Sequence, residues 1–344
     1  MSIDQHYAWI SMFAETQIFV MPDFDLDITI LHEMLPKFNK RFPLHVTHFV
    51  NFLSQGNIEL IEIWCHFSEN LDTFIENDNW KLLNCTREID YNEVIEEIFD
   101  YNPLLFVSRY SRLIHNSETI LKILIKHKCN IDAENKYGVT AIMLAAGYSH
   151  STSNLNTVEL LIRNKCDINL RDKRVMWNAL QWGVCFSSRS TNIDTIQLLL
   201  DNLVEIDNIG LHGSHSLTTA LEVLMSTKPT GAFYNNSINT VTALIMSGAS
   251  LDNENDDGYN ALMFAADIKN HTIINLLLDQ YIDIDYYDIN IKNEYGITPL
   301  MCFASNGLTD ATTRLLANGA DTEITDQYGR TAIFLQHLTS TQTY

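Results

Sequence analysis

The chain has 344 residues, 46% of them hydrophobic, and a formal net charge of −21 at pH 7. This hydrophobic content excludes general disorder, and the length allows one large domain or two small ones with a substantial core. The acidic charge disfavours binding to phosphate backbones and anionic membranes, so we expect neither nucleic acid nor membrane among the partners. A basic protein partner is compatible with the charge, and so is an acidic surface that only keeps the chain in solution.

The N-terminal part is the most acidic, with a balance of −13 over residues 1–101 against −8 over residues 102–344. Residues 1–42 are aromatic and apolar enough to pack, and we predict an N-terminal helical cap there. Residues 43–101 show helical periodicity without a clear frame, which favours degenerate helical repeats; a separate small domain is the alternative. Because the first residues lack a basic start and no stretch is apolar over the roughly 18 residues of a spanning helix, we expect a cytoplasmic protein.

From residue 102 onward, helix starts recur in one pattern, in which Thr or Asn precedes Pro or Ala and then an aliphatic residue. A Thr or Asn side chain caps the helix, and Pro suits the first helical position. The seven starts follow Asn102, Thr140, Asn178, Thr219, Asn260, Thr298 and Thr331.

A second, amphipathic helix is predicted after each of the first six starts, with apolar residues at i, i+3 and i+4. Helices this short are unstable alone, so stacking neighbours must bury their apolar faces. The six segments cover residues 118–125, 156–162, 194–200, 239–245, 271–277 and 311–316.

Polar inserts lengthen several of these units. Residues 149–153, 187–190 and 227–236 separate the two helices of a unit and are predicted to be loops, and residues 286–288 extend a later connection. Their recurring location predicts one decorated edge, whereas neutral drift in loop length is the alternative.

The most regular stretch runs from Asn293 to Gly329. Tyr295-Gly296-Ile297-Thr298-Pro299-Leu300 opens it, and the pattern returns 33 residues later as Tyr328-Gly329-Arg330-Thr331-Ala332-Ile333. A turn, a Thr-Pro-Leu helix start, a second helix and a Gly-Ala-Asp exit at this step resemble the ankyrin repeat. The insert-rich style is similar to that of ankyrin proteins from large DNA viruses, protists and intracellular bacteria.

The resemblance implies an all-α ankyrin-repeat solenoid of helix-turn-helix units with β-turn fingers. It implies about six repeats over residues 102–344, the last one truncated, and ankyrin-like degenerate repeats over residues 43–101. The finger glycine stands at Gly138, Gly258, Gly296 and Gly329. It is replaced around residues 174–177, and the frame is unclear around residues 213–217, so those two fingers are expected to be irregular.

In this family the finger tips and first helices line a concave, partner-binding groove. The resemblance therefore implies a partner-binding set at the fingers. Its members are Lys136, Tyr137, Val139, Asp256, Asp257, Tyr259, Glu294, Tyr295, Ile297, Gln327, Tyr328 and Arg330. Tyrosine recurs before the finger glycine and is enriched at binding hot spots. The alternative is that each tyrosine packs on the next finger as part of the stack.

The motifs of catalysis are absent: there is no phosphate-binding glycine loop, no H-E-x-x-H and no G-x-S-x-G. We therefore expect no enzyme and no cofactor. The His212 and His215 pair, like the run of Asp283, Asp285 and Asp288, lacks the ligand spacing of a zinc or calcium site, so no metal is expected. The six cysteines form no Cys-x-x-Cys clip, which favours reduced, buried thiols.

The sequence thus predicts a monomeric, non-enzymatic scaffold that binds a protein partner through the concave face and finger tips. The expected location is the cytoplasm, or the host cytoplasm if the chain comes from a virus or an intracellular pathogen. One alternative is a substrate-recruiting adaptor whose acidic N-terminal region engages machinery such as a ubiquitin ligase, for which Leu35-Pro36 is a hint. The other is an enzyme with an N-terminal catalytic domain, although residues 1–101 contain no recognisable catalytic constellation.

Overall fold

A computed structural model describes residues 101–229, 231–283 and 287–341, together with Ile58, Ile61, Glu62 and Cys65. The predicted cap over residues 1–42, the Leu35-Pro36 pair and nearly all of residues 43–101 lie outside this part. The described residues form thirteen α-helices and no β-strand, which confirms the all-α class. The chain divides into two compact units: Met1–Ala145 with Thr152–Asp167, and Ala146–Ser151 with Ile168–Tyr344.

Between residues 101 and 167, the described part of the first unit contains three complete helices and most of a fourth. They are α1 (Pro103–Arg109), α2 (Ser117–Lys126), α3 (Ala141–Gly147), of which the last two residues belong to the second unit, and α4 (Leu155–Arg163). Helix α2 packs on α1 and on α4. Helix α1 begins as predicted at an asparagine cap, where Asn102 Oδ1 accepts the Leu105 N–H at 2.8 Å. Helix α4 begins at a cap that was not predicted, where Asn154 Oδ1 accepts the Thr157 N–H at 2.9 Å.

The second unit is a two-layered stack of helix pairs. Its helices are α5 (Ala179–Cys185), α6 (Ile193–Asp201), α7 (Ser216–Ser226), α8 (Ala232–Met246), α9 (Ala261–Ile268), α10 (His271–Asp283), α11 (Pro299–Ser305), α12 (Thr309–Ala317) and α13 (Ala332–Thr341). The first helices α5, α7, α9, α11 and α13 each contact the next, and so do the second helices α6, α8, α10 and α12. Each short helix is therefore stabilised by its neighbours, as a repeat fold requires.

Local caps start four of these first helices where the sequence predicts. Asn178, Asn260, Thr298 and Thr331 accept N–H bonds from the third helical residue at 3.1, 3.1, 3.4 and 3.4 Å. The predicted start after Thr219 is wrong, because α7 already begins at Ser216 and Thr219 lies buried in its first turns. The cause is a short finger that ends at Ser214, four residues earlier than the pattern assumed.

The inserts are only partly loops. Residues 149–153 and 187–190 form turns as predicted, but α8 begins at Ala232, so the end of the predicted 227–236 loop is helical. Polar residues fit this helix because their side chains bond to the preceding turn: Ser237 Oγ donates to Phe233 O at 3.1 Å and Thr240 Oγ1 to Asn236 O at 2.9 Å.

Candidate functional site

Four fingers, the loops that lead from a second helix to the next first helix, share one turn. In the finger of Asn293, the side-chain Oδ1 accepts the backbone N–H groups of Tyr295 at 3.0 Å and Ile297 at 2.9 Å. The Gly296 N–H bonds to Asn293 O at 2.9 Å, and Gly296 adopts φ +75°. The same bonds occur around Asn135, Asn255 and Asp326. The tip backbone is thus fixed without any tip side chain.

The two fingers expected to be irregular depart from this turn in different ways. The Asp172 carboxylate accepts N–H bonds from Arg174 and Val175 at 2.9 Å and from Trp177 at 3.1 Å, which spans one residue more. Met176 takes the glycine position at φ +59°, in a region that non-glycine residues seldom occupy. The next finger closes from the Gly210 N–H to Ser214 O at 2.8 Å, around a 3₁₀ turn at Leu211–Gly213.

Successive fingers of the second unit contact one another through their backbones. The Leu211 N–H donates to Val175 O at 2.8 Å, and the Gln327 N–H donates to Tyr295 O at 2.9 Å. A Cβ atom on Gly258 would lie 2.9 Å from Asn293 Cα, so glycine is the residue that lets these two fingers approach. The tips therefore form a rigid row.

In the first unit, the predicted residues of one finger differ in exposure. Lys136 is exposed, with its Nζ 4.9 Å from the centre of the half-buried Tyr137 ring. Val139 is only 4% exposed, so its side chain offers little surface for the predicted partner contact. Its N–H bonds to Asn135 Oδ1 at 3.0 Å, and its side chain lies in the core.

In the second unit, the structure brings the nine other predicted residues together in three successive fingers. The tip residues are exposed: Asp256, Asp257, Glu294, Tyr295, Gln327 and Tyr328. The residues after the finger glycine are half-buried: Tyr259, Ile297 and Arg330. The exposed row is thus supplied by the two residues before each glycine.

The last finger is ordered by a charged network. Arg330 Nε donates to Asp326 Oδ2 at 2.6 Å, and the guanidinium lies 4.8 Å from the centre of the Tyr328 ring. Burial raises the pKa of Asp326, but hydrogen bonds from Arg330 and Tyr328 outweigh this and hold that pKa below its usual value. Tyr328 is 72% exposed and Tyr295 is 41% exposed, so neither ring is fully buried against a neighbouring finger and both offer surface to solvent.

The finger of Asn255 is acidic, with four carboxylates and no Lys or Arg between residues 252 and 259. Burial raises the pKa of Glu222, Asp252 and Glu254, and neighbouring carboxylates raise each of them further. Asn255 Nδ2 donates to Glu222 Oε1 at 3.5 Å, which joins helix α7 to this finger. A positive charge from a partner would relieve the repulsion among these groups.

Sequence reasoning missed three exposed apolar side chains on the irregular fingers. Met176 is 39% exposed, Ile209 59% and Leu211 47%. They were passed over because the finger glycine is replaced in one finger and its frame is unclear in the other. The signal that finds the first of these fingers is the aspartate six residues before the helix cap Asn178, since Asx residues stand five before the cap in the regular fingers.

In the described part of the chain, three other features bear on function: the grouping of metal ligands, the capacity of a helix to span a membrane, and the reactivity of the thiols. There, no three His, Cys, Asp or Glu side chains are grouped to hold a metal ion. The helices described are too short or too polar for one of them to cross a bilayer. Among the described residues, Cys65, Cys166, Cys185 and Cys302 are free thiols. Burial raises the pKa of Cys166 and Cys302 to about 12, which makes these thiols poor nucleophiles.

Two family models match the chain. The model described as "Ankyrin repeats (3 copies)" matches residues 54–172 and 110–210, and the model described as "Ankyrin repeat" matches residues 295–327. Together they cover more than half of the sequence. Among solved structures, the chain is similar to a chain of the structure described as the Bd0816 predatory endopeptidase from Bdellovibrio bacteriovorus in complex with immunity protein Bd3460. The identity is 24% and the TM-score 0.45, over 61% of this chain and 94% of that one.

Proposed function

Because the chain belongs to the ankyrin-repeat family, whose repeats generally mediate protein–protein interactions, we propose that it is a non-enzymatic scaffold for a protein partner. The partner binds the finger tips and the concave face that adjoins them. The observation that carries the proposal is the row of exposed tip side chains, which stand on fingers whose backbones are held by the same Asx turn.

Rigidity supports this role. The tip backbones are fixed by buried Asx side chains, Asn293 and Asp326 each being 5% exposed, and neighbouring fingers are joined by the bond from Gln327 to Tyr295. A surface that is ordered before binding loses little conformational entropy in the complex. Modest contacts at each tip then add up to useful affinity.

The chemistry of the row indicates the character of the partner. Tyr295 and Tyr328 offer large aromatic areas, and tyrosine loses few rotamers on burial. The acidic finger of residues 252–259 precedes the finger of Tyr295, and its carboxylates favour a basic segment in the partner. We therefore propose a partner that presents apolar side chains flanked by Lys or Arg.

The remaining parts of the proposal follow from charge and thiol chemistry. A net charge of −21 disfavours association between copies, so we propose a monomer. Free, buried thiols fit a reducing compartment, which supports the cytoplasm as the location. No cofactor enters the proposed mechanism.

The test is co-purification from the native cell, identification of the captured proteins by mass spectrometry, and affinity measurement with purified partners. Tyr295→Ala and Tyr328→Ala should each weaken binding about tenfold or more, because both remove a central aromatic contact. Met246→Ala is the matched control, since Met246 is 68% exposed, close to the 72% of Tyr328, but lies at the end of helix α8 and not in a finger. The proposal fails if both tyrosine substitutions leave the affinity of every captured partner unchanged.

The adaptor alternative rests on the −13 balance of residues 1–101. It stays a prediction, and it differs from the scaffold in one measurable outcome. Deleting residues 1–100 should abolish recruitment of a second protein while leaving the finger-bound partner attached.

A further inference from the structure

The three inserts of the second unit are joined into one surface, here called the insert edge. It comprises residues 147–151, 186–191, 226–229 and 231–236. The His150 N–H donates to Ser190 O at 2.7 Å, and Ser190 Oγ donates to Gly147 O at 2.8 Å. Asn236 Nδ2 donates to Thr191 O at 3.0 Å. Each insert links a first helix to its own second helix, so the edge lies at the opposite end of the helices from the fingers.

Aromatic rings give the insert edge an apolar component. The Tyr148 and Phe186 rings lie 5.1 Å apart, and the His150 and Phe233 rings meet edge to face at 6.4 Å. Phe233 remains 41% exposed. An exposed ring held in place by a neighbouring ring is a suitable anchor for an apolar side chain.

The charge of the insert edge is opposite to that of the chain. No Asp or Glu occurs in residues 141–158, 173–193 or 223–251, whereas Arg189 and Lys228 are exposed on two of the inserts. Within the described part of the chain, neither of these cations forms an ion pair. Of the acids that border these stretches, Asp194 accepts a side-chain amide bond from Asn192 at 3.1 Å, and Glu222 accepts one from Asn255 at 3.5 Å.

We propose that the insert edge is a second docking surface and that its occupant is an acidic segment of a protein with an apolar residue to cover Phe233. At physiological salt, charges beyond about 8 Å are largely screened, so the local cations decide what binds here. The acidic finger of residues 252–259 repels such a segment. A nucleic acid is a poor candidate, because its closely spaced phosphates need many Lys or Arg contacts, and this surface offers two such side chains on a strongly acidic chain. The inference does not depend on the finger site.

The test uses the full chain and a fluorescein-labelled peptide in which Glu and Asp alternate with Leu and Phe, measured by fluorescence anisotropy. A neutral peptide with Gln and Asn in place of Glu and Asp is the comparison, because a Lys peptide would match the ligand proposed for the acidic finger. The acidic peptide should bind more tightly, and the double variant Arg189→Glu/Lys228→Glu should weaken it about tenfold. Phe233→Ala should weaken it as well, while Tyr328→Ala should leave it unchanged, which separates this surface from the proposed function.

The control matches the change in net charge. Lys136→Glu/Lys292→Glu reverses two exposed lysines outside the insert edge and should leave binding of the acidic peptide unchanged within about twofold. If the reversed variant unfolds by circular dichroism, Arg189→Gln/Lys228→Gln replaces it, with a smaller expected loss. Equal binding of the two peptides would overturn the proposal, as would equal binding by the folded charge variants. Tighter, edge-dependent binding of a single-stranded oligonucleotide would overturn it too.

Discussion

Replacing Gly258 by alanine tests whether backbone contact between fingers stabilises the second unit. Gly258 adopts φ +74°, and a Cβ atom there would lie 2.9 Å from Asn293 Cα and 3.0 Å from Glu294 N. Both neighbours are backbone, so the overlap is relieved only if one finger moves. The control is Gly248→Ala, ten residues earlier, where φ is +87° and a Cβ would meet nothing within 4 Å.

The two substitutions share one cost and differ in another. An alanine in the left-handed region costs about 1–2 kcal/mol, and this applies to both positions. Overpacking against a neighbour that cannot yield costs about 1–3 kcal/mol more, and this applies to Gly258→Ala alone. We therefore expect the free energy of unfolding to fall by that additional amount in Gly258→Ala relative to Gly248→Ala.

Urea unfolding followed by circular dichroism measures the global difference between the two variants. Because repeat stacks can unfold in parts, hydrogen exchange at the Tyr295 and Ile297 amides provides the local readout. These amides should exchange faster in Gly258→Ala and at the wild-type rate in Gly248→Ala. If the two variants lose the same stability, within about 0.5 kcal/mol, the fingers are not held by close backbone approach and the rigid-row reasoning is wrong.

Two further substitutions probe buried polar groups. Tyr281→Phe should lower the free energy of unfolding in urea by about 1–3 kcal/mol, because the hydroxyl donates to Leu251 O at 2.8 Å and accepts from Asn260 Nδ2 at 3.2 Å. Tyr234 is half-buried, so Tyr234→Phe should lower it clearly less, and equal losses of stability would count against the buried network. Asp326→Asn keeps the turn acceptor but loses the charge, at a cost of about 1 kcal/mol or less at pH 7. Since the pKa of Asp326 is lowered in the folded chain, this difference should be fully present above pH 4 and disappear as the pH falls through the lowered folded-state pKa; a difference that persists in stronger acid would contradict the assignment.

The helix starts were predictable where the cause is local. Asn178, Asn260 and Thr298 cap their helices through an amide three residues away, and such a bond needs only the sequence between them. Burial of Val139 was not predictable from its spacing, because its direction depends on how the Asn135 turn meets the core.

The irregular elements escaped prediction for a tertiary reason. Met176 carries the left-handed conformation normally left to glycine because three amide bonds to the Asp172 carboxylate fix the loop around it. The early start of α8 depends on its packing against α6 and α7, which outweighs the loop-like composition of residues 232–236. The insert edge was foreseen as a location, but its charge and its hydrogen bonds emerge only when the three inserts are brought together.

The Asx turn has a consequence for how this chain acquires specificity. Its bonds run from one Asx side chain to backbone amides, so they do not depend on which side chains stand at the two positions before the glycine. Those positions, Asp256 with Asp257, Glu294 with Tyr295 and Gln327 with Tyr328, already differ while the turn stays the same. Residue pairs at the tips are therefore interchangeable between fingers, and the binding specificity of this protein can change, in evolution or by design, without a change of the fold.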